Sequence, residues 1–288
     1  MKPERPCPAC AAKMANFFAE KNGHRIFKCL ACSSLFVSKL PSETASIYGE
    51  KYFWGAESGF GYVDYDTDKE PMRKVFEQCV ERISQISGRK GRLVDIGAAT
   101  GYFMKLAKKM GWEAEGVEIG REAAEVGRRQ GLKMLTATIA ELSGAEKFDA
   151  ITMFDVIEHV KDPEADFRKA HDLLKDDGAL VIITPNSGSL YARLLGKRWH
   201  LIVPPEHLSY FTRAGMQTLL EKSGFQVIEM KAPGKWFTLE YILHTLLRWQ
   251  GLGVWRGLLK GVKKFPRLAN VRLPVNFRDN MLVFARKI

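Results

Sequence analysis

Three groups of residues in this chain have the types and spacing to do chemistry. The first is two cysteine pairs, Cys7-Pro8-Ala9-Cys10 and Cys29-Leu30-Ala31-Cys32, with 18 residues between them. Thiolates at that spacing can close a tetrahedral zinc site. A segment of roughly 40 residues has too little apolar core to fold unaided, so a metal would supply its folding energy. The alternative, a pair of disulfides, does not suit a reducing compartment. The second group is Asp95, Gly97 and Gly101, followed by Glu118. The third is two Glu-His pairs, Glu158-His159 and Glu206-His207, which set a carboxylate beside an imidazole able to move protons near neutral pH.

The elements that position the second group can be read directly. Leu93-Val94-Asp95-Ile96 is an apolar β-type run that breaks at Gly97, and helical spacing begins at Tyr102. Strand, glycine turn and helix N-terminus form the ligand-facing corner of a βαβ unit. A dinucleotide turn would need glycines at 99 and 102, where the chain has Ala99 and Tyr102. Asp95 at the strand end would repel a pyrophosphate and suits a ligand carrying an ammonium and a sulfonium. The next strand, Glu113 to Glu118, ends in an acid that can accept from both hydroxyls of a ribose.

Asp95, Gly97, Gly101 and the later Glu118 resemble the first motif of the class I S-adenosylmethionine (SAM) methyltransferases, with Ala99 in place of a third glycine. Phe148-Asp149-Ala150-Ile151-Thr152-Met153-Phe154-Asp155-Val156-Ile157-Glu158-His159-Val160 resembles the second motif block of small-molecule methyltransferases. Pro205-Glu206-His207-Leu208-Ser209-Tyr210-Phe211-Thr212 is similar to a string of the zinc-ribbon sugar C-methyltransferases, whose Glu-His pair lies at the substrate pocket. The chain departs from these patterns at Asp176-Asp177, where Pro-Gly is usual, and at Pro204, where an aromatic is usual.

The resemblance implies an α/β fold: a doubly wound, mostly parallel seven-stranded sheet of Rossmann-like methyltransferase type, with a small N-terminal zinc ribbon. It implies SAM held by Asp95, Gly97, Gly101, Tyr102, Glu118 and Asp155, and structural Zn2+ on Cys7, Cys10, Cys29 and Cys32. Catalysis would fall to His207, Glu206 and His159, with His207 the first candidate for base. The expected organisation is a ribbon over 1–40, a linker with aromatic lid and helix over 41–90, and a SAM-binding domain over 91–288. Insertions are expected at 187–211 and 233–276, and ribbon and domain are expected to have separate cores. The lid is read from seven aromatics between Tyr48 and Tyr65, interleaved with glycines. Strands are expected at Lys133 to Thr138 and after a turn on Gly178, with Glu141 a candidate for adenine contact.

The charge is uneven. Between Lys231 and Ile288 stand 12 Lys/Arg and two Asp/Glu, so that segment carries +10 of the formal net charge of +11. Within it Leu239, Ile242, Leu243, Leu246 and Leu247 keep helical spacing, followed by Trp249, Trp255, Arg256, Lys260, Lys263, Lys264 and Arg267. Residues 236–267 therefore read as a basic, apolar face for a membrane surface or lipid-linked substrate, or else as edge packing. Nucleic acid fits less well, because the basic residues follow the apolar helix instead of alternating with it. No apolar signal-peptide core is visible at the N-terminus, so the reading is cytoplasmic, with peripheral membrane contact through 236–267.

The function expected is methyl transfer from SAM to a small-molecule acceptor: a sugar, a sugar nucleotide or a lipid-linked metabolite. Two other classes compete. An RNA methyltransferase would dock through ribbon and basic segment, but the fourth strand is followed by no N-P-P-Y/F block and no cysteine nucleophile occupies a motif position. A non-catalytic SAM-fold binding protein would not need Asp95, Gly97, Gly101 and Glu118 together.

Overall fold

The computed structural model describes residues 2–41, 69–143, 147–250 and 253–288. The aromatic segment 48–65 lies outside them, and so does the lid expected there. Strand β1 (Ala15–Lys21) pairs antiparallel with β2 (His24–Cys29) across a turn in which Asn22 and Gly23 both have positive φ. β3 (Leu35–Val37) adds to the other edge of β2. The two cysteine knuckles close alike. Ala11 N donates to the Cys7 carbonyl and Ser33 N to the Cys29 carbonyl, and both donors are left-handed, at φ 59° and 61°.

Helix α1 (Arg73–Ser87) buries Val75, Phe76, Cys79, Val80 and Ile83 along one face and stops at Gly88. Alternation then builds the main sheet: β4 (Arg92–Ile96), α2 (Tyr102–Lys109), β5 (Glu113–Glu118), α3 (Arg121–Arg129), β6 (Lys133–Thr136) and β7 (Phe148–Phe154). Helix α4 (Pro163–Leu173) is capped by Asp162, whose carboxylate accepts from Ala165 N, and Pro163 sits in the first turn, where its missing N–H costs nothing. β8 (Leu174–Pro185) leads to the insertion, which holds α5 (Leu190–Leu195) and β9 (Ser209–Tyr210). α6 (Arg213–Lys222) and β10 (Phe225–Lys231) follow. A second excursion comprises β11 (Lys235–Thr238), α7 (Leu239–Gln250), α8 (Gly253–Lys263), α9 (Pro266–Ala269) and β12 (Arg272–Val275). β13 (Asn280–Lys287) returns to the sheet.

The main sheet has seven strands in the order β10-β13-β8-β7-β4-β5-β6. Neighbours from β8 to β6 are parallel, and β13 runs antiparallel to both of its neighbours. This is the doubly wound, mostly parallel sheet that the sequence implies. Its winding reverses between β4 and β7, so a ligand crevice opens beyond their carboxyl ends.

Two strand ends differ from expectation. β6 stops at Thr136, because Thr138 caps a short 3-10 turn and accepts Glu141 into a reciprocal capping box. The Glu141 Oε2 atom accepts from the Thr138 amide and hydroxyl, at 2.7 and 2.8 Å. β8 starts at Leu174, before Gly178, and absorbs Asp176-Asp177 as a bulge: Phe148 faces Leu174 while Ala150 faces Ala179.

The expectation of separate cores is corrected. One apolar cluster joins Cys7, Ala9, Phe27, Cys29 and Phe36 of the ribbon to Ile151, Ile182, Phe211 and Met216 of the main domain. Another joins Ile26, Leu35 and Val37 to Trp199, Ile202 and Tyr210 of the insertion. The physical reason lies in β3, whose three residues are all buried, so the strand needs cover on both faces. β3 also pairs with β9, which carries the ribbon sheet into the insertion. Polar contacts follow the same seam: Thr212 Oγ1 donates to the Cys32 carbonyl at 2.7 Å, and Asn22 Nδ2 to the Pro204 carbonyl at 2.7 Å.

Candidate active site

The first part of the candidate site is the β4–α2 corner. Gly97 has φ 72° and Gly101 φ 84°, backbone that L side chains rarely adopt. A Cβ on Gly97 would stand 2.4 Å from Val156 Cγ2, and one on Gly101 2.2 Å from Leu132 Cδ1. Ala99 takes the left-handed position between them, at φ 48°, and holds it at a cost of about 1 kcal/mol. Two amides meet the Glu118 carboxylate: Ala99 N donates to Oε2 at 2.9 Å and Gly120 N to Oε1 at 2.7 Å. Burial raises the Glu118 pKa above the ordinary carboxylate value, against those hydrogen bonds. A carboxylate offers about four lone-pair sites, so the Glu118 carboxylate keeps capacity for a further donor.

A cavity of about 430 Å³ opens beside this corner. It is lined by Gly97, Ala99, Val117 and Glu118, by Thr138, Ile139 and Ala140, and by Lys69, Asp155 and His159. Asp155 ends β7 with φ 55°, and its carboxylate accepts from Lys69 Nζ at 2.8 Å. Residues held in left-handed backbone by their surroundings concentrate at functional sites.

Behind His159 lies a buried polar cluster. Thr184 Oγ1 donates to Glu158 Oε2 at 2.9 Å, and the Glu158 carbonyl accepts from Leu208 N and Ser209 N. Burial, and after it the Asp155 charge, pushes the Glu158 carboxyl up to about 8. The His159 ring sets Nδ1 on the Glu206 carbonyl at 3.0 Å, and the His207 ring sets Nδ1 on the Leu201 carbonyl at 2.8 Å. The two rings meet edge to face with centroids 4.7 Å apart. Burial lowers His159 to about 4, and burial with the neighbouring His159 lowers His207 to about 3, so both are neutral at pH 7.

The structure thus sorts the residues singled out in the sequence. Gly97, Glu118, Asp155 and His159 line one cavity. Asp95 lies beneath it, 3% exposed, accepting from Thr152 Oγ1 at 2.6 Å, and burial holds its carboxyl up at about 7. Gly101 is absent from the cavity lining and packs on Leu132; Tyr102 instead donates its hydroxyl to Glu70 Oε2 at 2.6 Å. His207 stands behind His159, buried against the Leu201 carbonyl and off the described cavity wall. Sequence reasoning misses Lys69 and Asp166 on the wall. Lys69 only opens a helical pattern there. Asp166 shares the start of α4 with the capping Asp162, and a pair of acids at positions i and i+4 was the available signal.

At the ribbon, the thiol pairs Cys7–Cys32 and Cys10–Cys29 stand 3.6 and 3.5 Å apart, with all four sulfurs within 4.8 Å of one another. Four thiolates on one zinc at the usual bond length stand about 3.8 Å apart, so the set fits that ion.

Comparison with known proteins agrees with this geometry. Residues 69–230, more than half of the chain, match a family model described as a methyltransferase domain, and the chain belongs to that family. A ubiquinone biosynthesis O-methyltransferase of Xanthomonas axonopodis pv. citri (strain 306) is 27% identical over 178 residues, covering 54% of this chain and 74% of the relative. C-methyltransferase NovU of Streptomyces niveus is 26% identical over 165 residues, covering 55% of this chain and 38% of the relative. Among solved structures, magnesium protoporphyrin IX methyltransferase of Synechocystis PCC 6803 with bound SAH superposes with a TM-score of 0.51 at 14% identity, covering 80% of this chain and 90% of that one. The chain is a class I SAM-dependent methyltransferase.

Proposed function

We propose that the cavity holds SAM lengthwise, with Glu118 on the ribose hydroxyls, the Gly97 turn at the methionine end and Asp155 and His159 beside the transferable methyl. The observation that carries this reading is that one cavity is lined by Gly97, Glu118, Asp155 and His159 together. The acceptor is a small molecule bound against Asp155 and His159, with the buried Glu158 and His207 and the Glu206 carbonyl supporting His159 from behind. The names of the relatives, an O-methyltransferase of ubiquinone biosynthesis and a C-methyltransferase, support a small acceptor. Transfer is in-line displacement at the sulfonium methyl, which rests on alignment and exclusion of water. The four cysteines hold a structural zinc, supported by the fit of their sulfur spacings. Calorimetry tests the cofactor assignment. Glu118→Ala should weaken SAM binding by about 1.5–3 kcal/mol, the size of lost hydrogen bonds to a charged group. Unchanged affinity removes Glu118 from the site.

A second surface favours membrane or lipid-linked contact. Val254, Leu258, Phe265 and Leu268 on α8 and α9 are 46–63% exposed, among the exposed Arg256, Lys260, Lys264 and Arg267. No helix among the described residues is long and apolar enough to cross a membrane, so this contact would be peripheral.

A further inference from the structure

One acid on the cavity wall has no role in the site described above. Asp166 lines the cavity from the first turn of α4. Its carboxylate has no hydrogen bond or ion pair among the described residues. Neighbouring polar side chains on the wall are engaged: Asp162 Oδ1 accepts from Ala165 N, and Thr138 Oγ1 donates to Glu141 Oε2. An acid in the first turn of a helix complements the helix dipole, and that accounts for the sign of the charge. It does not account for the setting. Glu164, in the same turn, is paired with Arg168 and Lys222, which lower its carboxyl pKa. Burial, and after it the Asp162 charge, instead raises the Asp166 carboxyl to about 6. At pH 7 Asp166 is therefore an ionised acceptor facing a cavity without a donor.

Its place in the fold says which donor it meets. The Glu118 carbonyl, at the end of β5, accepts from Ala137 N at 3.2 Å. The 3-10 turn Ile139–Glu141 follows, and α4 packs on that turn. Ala137, Ile139 and Ala140 line the cavity together with Asp166. With a ribose on Glu118, a methionine end at the Gly97 turn and a methyl beside Asp155, this wall is left for the base. Its apolar side chains suit the flat faces of a purine, and Asp166 adds an acceptor at the edge. Adenine offers an amine with two N–H donors at its 6-position. Glu141, the candidate from the sequence, is absent from the cavity lining.

We propose that Asp166 accepts a hydrogen bond from the adenine 6-amino group and makes the cavity select an adenosyl cofactor over one with another purine. The proposal rests on the cofactor reading above, which places the ribose on Glu118. Donation from the amine to a carboxylate is charge-assisted and strong for a single hydrogen bond. A purine with an oxygen at the 6-position turns a lone pair onto the carboxylate, and that repulsion is the basis of the selection.

The test titrates the full chain at pH 7.5 with two ligands by calorimetry: S-adenosylhomocysteine and its deaminated counterpart S-inosylhomocysteine, which carries an oxygen in place of the amine. The wild type should bind the adenosyl ligand about 10-fold or more tighter than the inosyl one, the worth of one hydrogen bond to a charged group. Asp166→Asn should weaken the adenosyl ligand about 10-fold and bring the two ligands within about threefold, because a carboxamide can accept from the amine and donate to the oxygen. Asp166→Ala should also weaken the adenosyl ligand and narrow the preference. Glu164→Gln, in the same turn, should leave the preference unchanged. The preference is a ratio taken on one protein, so a variant that folds only in part still reports it. A role confined to the helix dipole predicts a lower melting temperature of the ligand-free variants with the preference intact. An undiminished preference in both Asp166 variants, or no preference in the wild type, overturns the assignment and leaves the cofactor reading standing. Failure of the wild type to bind the adenosyl ligand at all sinks the cofactor reading, and the assignment with it.

Discussion

The two ends of the cavity are made differently. The cofactor end comes from one continuous stretch, Leu93 to Glu118, in which strand, turn, helix and next strand follow in order. The other end, with Asp155 and His159 after β7, is backed by residues from far along the chain: Thr184 on β8 against Glu158, His207 in the insertion, and the ribbon through Arg5. Arg5 shows how the pieces are joined. Its guanidinium donates to the carbonyls of Val37 at 2.9 Å, Leu208 at 3.0 Å and Lys161 at 3.3 Å. One ribbon residue therefore reaches the chain just after His207 and just after His159. The stretch 93–118 is local in sequence, whereas the chain behind Asp155 and His159 is tied to the ribbon.

The largest test of that contrast is to dismantle the ribbon. Cys29→Ser removes a ligand of the proposed zinc and loosens a segment whose Phe27 and Phe36 share a cluster with Phe211. Exposing two such side chains costs about 3–6 kcal/mol, so the denaturation midpoint should fall clearly. Acceptor turnover should be lost, while SAM affinity stays within about threefold among molecules that remain folded. Collapse of SAM binding along with turnover would show that the two ends are one unit and break the comparison.

A slightly smaller effect is expected inside the acceptor end. With an acceptor in hand, His207→Ala should lower turnover by about 10²–10⁴, the range for losing a group that activates the substrate. SAM affinity should not change. Glu118→Ala gives the opposite pattern, with weakened SAM binding. Parallel losses in both variants would blur the two ends into one.

The same contrast explains what was legible in the sequence. The corner around Gly97 could be read because a tight turn, a strand end and an acid at fixed distance impose residue types on neighbouring positions. The sheet could be read for the same reason, since each βα unit carries its own periodicity. The burial of His207 behind His159 could not be read. It depends on a ring turned onto the Leu201 carbonyl, and any residue supplies a carbonyl. The shared core was hidden because Leu35-Phe36-Val37 is a plain apolar run whose second face reveals its partner only when β9 arrives. Lys69 was silent because its partner Asp155 lies 86 residues away.

Beneath the cofactor end, Asp95 offers a pH test confined to that region. Burial raises its carboxyl from 3.8 to about 7, so the folded protein holds this proton more tightly than the unfolded chain does. Stability from this group is therefore greatest below pH 3.8 and is lost as pH rises to about 7. Asp95→Asn keeps an acceptor for Thr152 and removes the titration. The wild-type stability minus that of Asp95→Asn should fall across this window, by up to about 4 kcal/mol. Urea denaturation at several pH values measures it. A flat difference means that Asp95 is solvated, and the cofactor end is then more open than the structure shows.

The smallest effect is expected on the surface formed by α8 and α9, which belongs to neither end of the cavity. Phe265 is 63% exposed and Val254 59%, with Lys264 and Arg267 close by in sequence. Apolar side chains of this kind can sink to headgroup depth while neighbouring cations stay with the phosphates. Each basic residue close to an anionic leaflet adds about 1 kcal/mol, roughly fivefold in partition. Edge packing is the competing account, and it applies to α7, where Leu243 is buried. It does not apply to Val254, Leu258 and Phe265, which face solvent. Flotation with anionic and neutral vesicles should show binding to the anionic ones alone, falling with added salt as charges are screened. Lys264→Gln should reduce it about fivefold, and Phe265→Ser should reduce it without changing the salt dependence. Absence of flotation, with salt-sensitive retention on RNA, would assign the surface to nucleic acid. The acceptor would then be a macromolecule that the basic face helps to dock, and the acceptor end would depend on two distant segments instead of one.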